Sequence, residues 1–277
     1  MSDQRPRTGI VQFTSDRGLP PQRLAPLIEA AGFASYFVPE HGHIPTRRDA
    51  AHPGTGTAEL PDERYLRTLD PWTTLAAAAA VALPVQADPI TLAKTIATVD
   101  HLSGGRVTLG VGFGWNLDEL ADHNVPAGRR RTMLREYLES MRALWRDEEA
   151  QYDGEFVSFG PSWAWPKPPG AVPVLVGAGA SDKNFTWIAK NADGWITTPQ
   201  DRGITDAARR LAEVWREHGR EGAPRIVALD GRPDRERLAR WGDAGVTDVL
   251  YPAVDADGAA AEAYLARLAE AVAPERV

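Results

Sequence analysis

The chain has 277 residues, 43% of them hydrophobic, with a formal net charge of −7 and no cysteine. That is room for one large α/β barrel or two small domains, and too much apolar material for disorder. An acidic chain whose only basic block is Arg129-Arg130-Arg131 lacks the clustered positive face that duplex DNA demands, and without cysteine there are no disulfides, thiolate metal ligands or cysteine nucleophiles. The polar start, MSDQRPRTG, runs into a strand-like segment without an apolar signal core, so the expectation is a cytoplasmic protein. The longest apolar run, Leu75 to Val85, is about half of the ~20 residues that a membrane span needs. No membrane partner is expected.

In chain order, short apolar runs rich in β-formers lie at Gly9–Phe13, Ser35–Pro39, Val107–Gly112, Val174–Gly177, Gly194–Thr198, Arg225–Leu229 and Asp248–Pro252. Between them lie amphipathic stretches at Pro21–Ala31, Trp72–Ala82, Thr91–Leu102, Arg129–Trp145, Asn184–Asn191, Ile204–His218, Arg235–Ala244 and Gly258–Val272. Wholly apolar strands alternating with helices signal a parallel sheet covered on both faces. The count favours one eight-stranded (β/α)₈ barrel, a TIM barrel, over residues 1–277. Three helix-to-strand joints place Gly32, Gly194 and Gly245 just past a helix, where a left-handed residue ends it.

Two stretches break this rhythm. Gly42 to Pro71 is a loop of about thirty residues, a length that is usually functional or disordered. Arg146 to Pro173 reads as an insertion containing a hairpin with a tight primed turn at Asp153-Gly154, followed by an extended segment from Ser162 to Pro169. The third barrel strand is the weak point. Only Val81–Gln86 is available for it, and Pro84 lacks a ladder donor. A shortened or missing third strand is therefore expected.

Barrel chemistry sits at the C-terminal ends of the strands. After the second strand come His41 and His43, able to move protons or bind metal, or simply packed under the long loop. No further ligand stands at metal spacing, so no metal site is expected. His52, His101, His123 and His218 stand apart and read as structural or exposed. After the fourth strand come Gly112, Gly114, Trp115 and Asn116. The glycines allow close approach of a ligand, and Asn116 offers a donor and an acceptor; the alternative is a tight turn. After the next long strand, Gly177, Ala178, Gly179, Ala180 and Ser181 precede a helix whose free N–H groups would suit a phosphate, or again a turn. Arg129–Arg131 could add charge-assisted bonds, with at least one of them a solvated helix start. Trp115, Trp163, Trp165 and Trp195 are candidates to stack on a planar ring. There is no Gly-x-Ser-x-Gly and no hydrolase triad.

These motifs together resemble the luciferase-like monooxygenases, and in particular the subgroup that uses the deazaflavin coenzyme F420. The resemblance rests on Ala31-Gly32-Phe33, on Val38 through Pro45, and on Leu69-Asp70-Pro71-Trp72. It continues through Asp88–Lys94, Asp100–Arg106, Gly110–Asn116, Gly154-Glu155-Phe156, Pro173–Gly177 and Ala192–Trp195. It spans nearly the whole chain, and the order and spacing of the motifs are specific.

The resemblance implies a (β/α)₈ barrel that binds F420, or alternatively FMN, and passes a hydride to or from a small organic substrate. The alternatives are a two-component FMN monooxygenase or a non-catalytic ligand-binding barrel. Glu40 and His41 would lie near the reactive ring, with His41 as proton donor or acceptor. Asn116 and Gly177–Ser181, with Gly112, Gly114 and Arg130 beside them, would hold the phosphate-bearing tail. A homodimer is also implied. Two departures stand out. Trp115 occupies a place where related dehydrogenases carry an acid, which puts a second general acid in doubt. About ten residues of a third-strand pattern, Arg-hydrophobic-Gly-Thr-Gly, are absent; since a lost strand exposes sheet edges, the expectation is a skipped or disordered stretch.

Overall fold

The computed structural model describes residues 5–39, 41–52, 55–78, 81–83, 88–197, 203–253 and 258–272. The chain alternates strand and helix: β1 (Arg7–Val11), α1 (Pro21–Ala30), β2 (Tyr36–Phe37), α2 (Pro71–Ala78), β3 (Val81–Leu83), α3 (Pro89–Ser103) and β4 (Leu109–Gly112). It continues with α4 (Leu117–Asp122), α5 (Arg130–Arg146), β5 (Ala150–Asp153), β6 (Ser158–Ser162), β7 (Val174–Gly177), α6 (Asp182–Asn191) and β8 (Gly194–Ile196). The last third adds α7 (Ile204–Glu217), β9 (Arg225–Leu229), α8 (Arg235–Asp243), β10 (Asp248–Pro252) and α9 (Gly258–Val272).

Eight of these strands form one all-parallel sheet in the order β2-β1-β10-β9-β8-β7-β4-β3. Each is followed by a helix, which is the expected (β/α)₈ arrangement. The third strand exists: Val81–Leu83 pairs in register with Leu109–Val111 of β4. It is shortened rather than missing, and it takes over the end of the apolar run assigned above to a helix reaching Ala82. Backbone pairing with β4 satisfies donors that a further helical turn would have used. Pro84 to Gln86 lie outside the described residues. Among the described residues no ladder joins β2 to β3, so these two are the ends of the sheet.

Local chemistry explains the element boundaries. Asp88, Asn116, Ser181 and Asp234 cap α3, α4, α6 and α8, each side chain accepting a backbone N–H from the first turn. Asp100, buried near the end of α3, accepts the Val107 N–H at 2.9 Å and ties the helix to the entry of β4. Gly32 and Gly245 have φ of 85° and 98°, as their joints require. Gly194 departs from expectation. It is not left-handed, and a Cβ there would meet the Arg225 carbonyl oxygen at 1.9 Å; close approach of β8 to β9 demands the glycine.

The insertion is the antiparallel hairpin β5–β6. Its connection is wider than the expected two-residue turn, closing through Gly154 N–H to the Val157 carbonyl at 2.9 Å. The buried Glu136 carboxylate sets this geometry: it accepts the Phe156 N–H at 2.8 Å and would lie 2.5 Å from a Cβ on Gly154.

Two apolar layers hold the sheet. The larger packs helices on its outer face around Ile10, Ile96, Leu138, Trp195 and Leu211. The smaller fills the inside with Phe37, Leu175, Val227 and Leu250, flanked by Val11, Ile196 and Leu229. Each fully buried aliphatic contributes about 1.5–3 kcal/mol. At the N-terminal end of the strands, Asp248 is buried and paired with Arg7 at 2.7 Å and Arg225 at 2.9 Å, and Arg225 also reaches Thr108. Packing and charge therefore fill the N-terminal end, and the inner face opens at the C-terminal ends of the strands.

Candidate active site

A cleft of about 1040 Å³ lies at that end, lined by residues that follow β1, β2, β4, β7, β8, β9 and β10. Two smaller cavities, about 420 Å³ among α1, α2 and α3 and about 480 Å³ around Arg142 and Arg220, lie away from these strand ends.

One wall of the cleft is aromatic. His41, carried just past β2, sits 5.7 Å from the Tyr65 ring and 5.6 Å edge-on from Trp115. Phe13, past β1, lies against Tyr65 at 4.4 Å and is nearly parallel to His41 at 6.3 Å. His52, expected to stand apart, is instead buried here, edge-on to both Tyr65 and Trp115 at 4.9 Å. The long loop folds back through a single 3₁₀ turn, Glu63–Leu66, and this brings His52 and Tyr65 over the strand ends; no short-range pattern announces that. Burial lowers the His52 pKa below its ordinary value, and the nearby His41 and Arg48 lower it further. Burial, reinforced by Asp62, pushes the Tyr65 phenol up to about 12, so the phenol keeps its proton.

His41 is 11% exposed, and its Nδ1 lies 3.1 Å from Oε2 of Glu119, which is 3% exposed. Glu119 comes from the first turn of α4, a helix absent from the sequence-based reading. The Asn116-x-x-Glu119 spacing, a capping signature, was the available signal. Glu40 lies outside the described residues. His43 is away from the cleft lining, exposed and bonded through Nε2 to Asp122 at 2.9 Å, with His123 against its ring at 5.1 Å. His218 bonds its own helix at the Val214 carbonyl.

The glycines flanking the cleft differ in role. Gly112 and Gly177 are register partners on β4 and β7. A Cβ on Gly112 would meet nothing closer than 3.9 Å, and one on Gly177 nothing closer than 3.7 Å. The missing side chains leave space inside the mouth. Gly114, by contrast, is a turn glycine at φ 75° with Leu120 packed against it. Asn116 is buried, its Oδ1 capping α4 and its Nδ2 without a partner.

The turn after β7 leads to the start of α6. Ala178 is buried, and its carbonyl accepts the Trp195 indole N–H at 2.7 Å. Trp195 is thereby fully enclosed and unavailable to stack on a ligand, while Trp163 and Trp165 are exposed outside the cleft; of the four candidates only Trp115 lines it. Gly179 and Ala180 lead to Ser181, which caps α6, and the Gly179 carbonyl accepts from Asn184 at 2.7 Å. Asn184 in turn accepts from Arg131, whose guanidinium also lies 4.0 Å over the Phe113 ring. Burial, and then the Arg130 charge, lower the Arg131 pKa. Arg130 bonds the Ala127 carbonyl at 2.9 Å and has a buried, unpartnered Nε. Arg129 is paired with Glu155.

Charged pairs also line the cleft. Arg237 holds Asp230 through two contacts at 2.9 Å, Arg64 holds Asp62, and Arg232 is exposed beside them. Among the described residues no group of three or more His, Asp or Glu is placed to hold a metal, and no helix is long and apolar enough to cross a membrane.

Comparison with known proteins follows the same lines. Residues 21–231 match the family model described as luciferase-like monooxygenase. An uncharacterised protein of Mycobacterium tuberculosis (strain ATCC 25618 / H37Rv) is 60% identical over 276 residues, covering 96% of this chain and 98% of that protein. An F420-dependent glucose-6-phosphate dehydrogenase from Mycolicibacterium fortuitum is 32% identical over 182 residues, covering 63% of this chain and 52% of the enzyme. Among solved structures, an F420-dependent secondary alcohol dehydrogenase in complex with an F420-acetone adduct aligns with a TM-score of 0.71 at 16% identity, over 97% of this chain and 99% of that one. At that identity the likeness speaks for the fold alone.

Proposed function

The chain belongs to the luciferase-like monooxygenase family, and from that premise we propose that it is an oxidoreductase using coenzyme F420 on a small organic substrate. The observation that carries this reading is His41, nearly enclosed, in the lining of a cleft with an aromatic wall and with Gly177 bare of a side chain on its lining. Space at Gly112 and Gly177 suits a flat ring system, and Phe13, Tyr65 and Trp115 offer faces and edges to it. The Ser181 start of α6, with Arg131 held beside it by Asn184, suits an anionic tail. Arg130, next along the chain, has an unpartnered buried Nε that fits the same role. The residues present thus fit a deazaflavin with a phosphate-bearing tail.

When bound, the cofactor supplies the hydride chemistry. The protein's part is to hold the substrate carbon against the ring and to manage the proton. Oxidation of a substrate carbon that bears an O–H or N–H releases the proton of that group, which His41 would accept; in the reverse direction His41 would return it. Tyr65 and Trp115 keep bulk water from that exchange. Glu40 beside the ring and a homodimeric assembly belong to the same proposal.

The test is fluorescence titration of the purified protein with F420 and, separately, FMN. Micromolar or tighter binding of F420 alone supports the reading. FMN binding with oxygen consumption replaces it with a two-component monooxygenase, and binding of neither leaves a ligand-binding barrel without redox chemistry.

A further inference from the structure

Glu119 is an expensive residue to place where it is. Its side chain is 3% exposed, and its Oε1 is buried with no hydrogen-bond partner among the described residues. The neighbouring Asn116 Nδ2 is also buried and unpartnered. Buried polar atoms are ordinarily satisfied, so two orphans in one turn are a cost that neither packing nor the capping of α4 explains; Asn116 caps the helix through its other atom. The one side-chain partner of Glu119 among the described residues is His41 Nδ1, at 3.1 Å.

We infer that Glu119 is the positioning residue for His41. A carboxylate only accepts hydrogen bonds. The contact therefore places the neutral imidazole's hydrogen on Nδ1 and leaves the Nε2 lone pair for the cleft, since the bond at one ring nitrogen sets the tautomer at the other. The carboxylate also steadies the imidazolium that forms when Nε2 takes a proton, the role of a third group behind a general base. Trp115 presents its ring edge-on to His41 at 5.6 Å, and four residues later α4 brings a carboxylate to the same imidazole. Glu119 has no place in the cleft lining and acts through His41. Near the pair, Tyr65 lies 5.7 Å from the His41 ring and His52 is close enough to feel the His41 charge, while the other carboxylates of α4, Asp118 and Asp122, bond Asp49 N–H and His43 instead.

This inference rests on the reading of His41 as the proton-transfer group, but its test does not need the cofactor. Long-range ¹⁵N–¹H spectra of the ring nitrogens would be recorded on free protein at mildly alkaline pH, where imidazoles are neutral. The wild-type His41 is expected as the Nδ1–H tautomer. Glu119→Gln keeps an acceptor and should keep that tautomer; Glu119→Leu removes it and should shift His41 towards Nε2–H. Thermal melts accompany each variant, and Glu119→Gln keeps the test informative if the leucine variant does not fold. In turnover, loss of Glu119 in the Leu variant should cost about a hundredfold and add nothing to a His41→Ala background. An Nε2–H tautomer in the wild type, or a leucine variant that folds with Nδ1–H unchanged, overturns the inference. Full turnover in His41→Ala would instead overturn the proton-transfer reading and leave the tautomer result standing.

Discussion

The guanidinium of Arg131 lies 4.0 Å over the centre of the Phe113 ring while it donates to Asn184 on the next barrel unit. One side chain thereby links the exit of β4 to the start of α6, where an anionic tail would sit. Arg131→Ala is expected to weaken F420 binding by about tenfold or more, the worth of a charge-assisted hydrogen bond. Arg131→Lys should recover little, because an ammonium cannot stack on the ring and bond Asn184 in the same plane. Fluorescence titration at two salt concentrations checks both, with the salt dependence reduced in the alanine variant.

Gly177 offers a test in which stability and binding move in opposite directions. A methyl group there meets nothing closer than 3.7 Å, so Gly177→Ala should not strain the strand. Restricting the unfolded chain stabilises by about 0.5–1 kcal/mol, a rise of about 2 °C in melting temperature. The same methyl occupies space in the cleft floor, and cofactor affinity should fall. Unchanged affinity would place the ring elsewhere.

His41→Ala should lower turnover by about a hundredfold or more, the usual contribution of a general acid or base, while leaving the cofactor dissociation constant within about twofold. Rapid-mixing measurement of cofactor reduction, alongside the titration, separates the two effects. A change in binding with no change in rate would reassign His41 to ring packing.

His52 predicts the acid side of the stability profile. Its folded pKa lies below the ordinary 6.5, chiefly because it is buried. The unfolded chain then binds the extra proton first. Stability is full above about 6.5 and declines as the pH falls from there through the folded pKa. His52→Gln should flatten that decline in denaturant melts taken across the window. Equal slopes in both proteins would rule His52 out as the titrating group.

Asp118 holds the long loop from below, its Oδ2 accepting the backbone N–H groups of Asp49 and Ala50 at 2.9 and 3.0 Å. With Glu119 on His41 and Asp122 on His43, three carboxylates from one turn and a half of helix clasp the same loop. Asp118→Ala removes two hydrogen bonds to an ionised group, each worth about 1.5–3 kcal/mol, and should open the loop locally. Limited proteolysis is expected to cut near residues 42–60 faster than in the wild type, with the global melting temperature little changed.

Much of the architecture was legible from residue patterns. Val174–Gly177, Arg225–Leu229 and Asp248–Pro252 are strands with the bounds read from their apolar runs, because the interior of a strand buried on both faces is apolar throughout and the charged Arg225 and Asp248 stand at the first position of theirs. The clefts of such barrels open where strands end, so His41, Gly112 and Gly177 could be placed at the mouth from chain order alone. Two strands resisted: β2 has only Tyr36 and Phe37 paired, and β3 hides at the end of an alanine-rich helix.

What the sequence by itself determined is the alternation of elements and the end of the barrel that carries chemistry, since both follow from local period and strand polarity; of the two histidines after the second strand, position alone did not choose. Only the tertiary structure decided which groups surround His41. Glu119 is 78 residues from His41, and Tyr65 and His52 arrive through a loop with no periodic pattern. Glu119 draws no reading in the sequence, and Trp195 reads as a candidate for the site. Folding buries Trp195 behind the sheet and leaves Glu119 against His41, because contacts across the barrel mouth depend on how separate βα units close together and on no property of either segment alone.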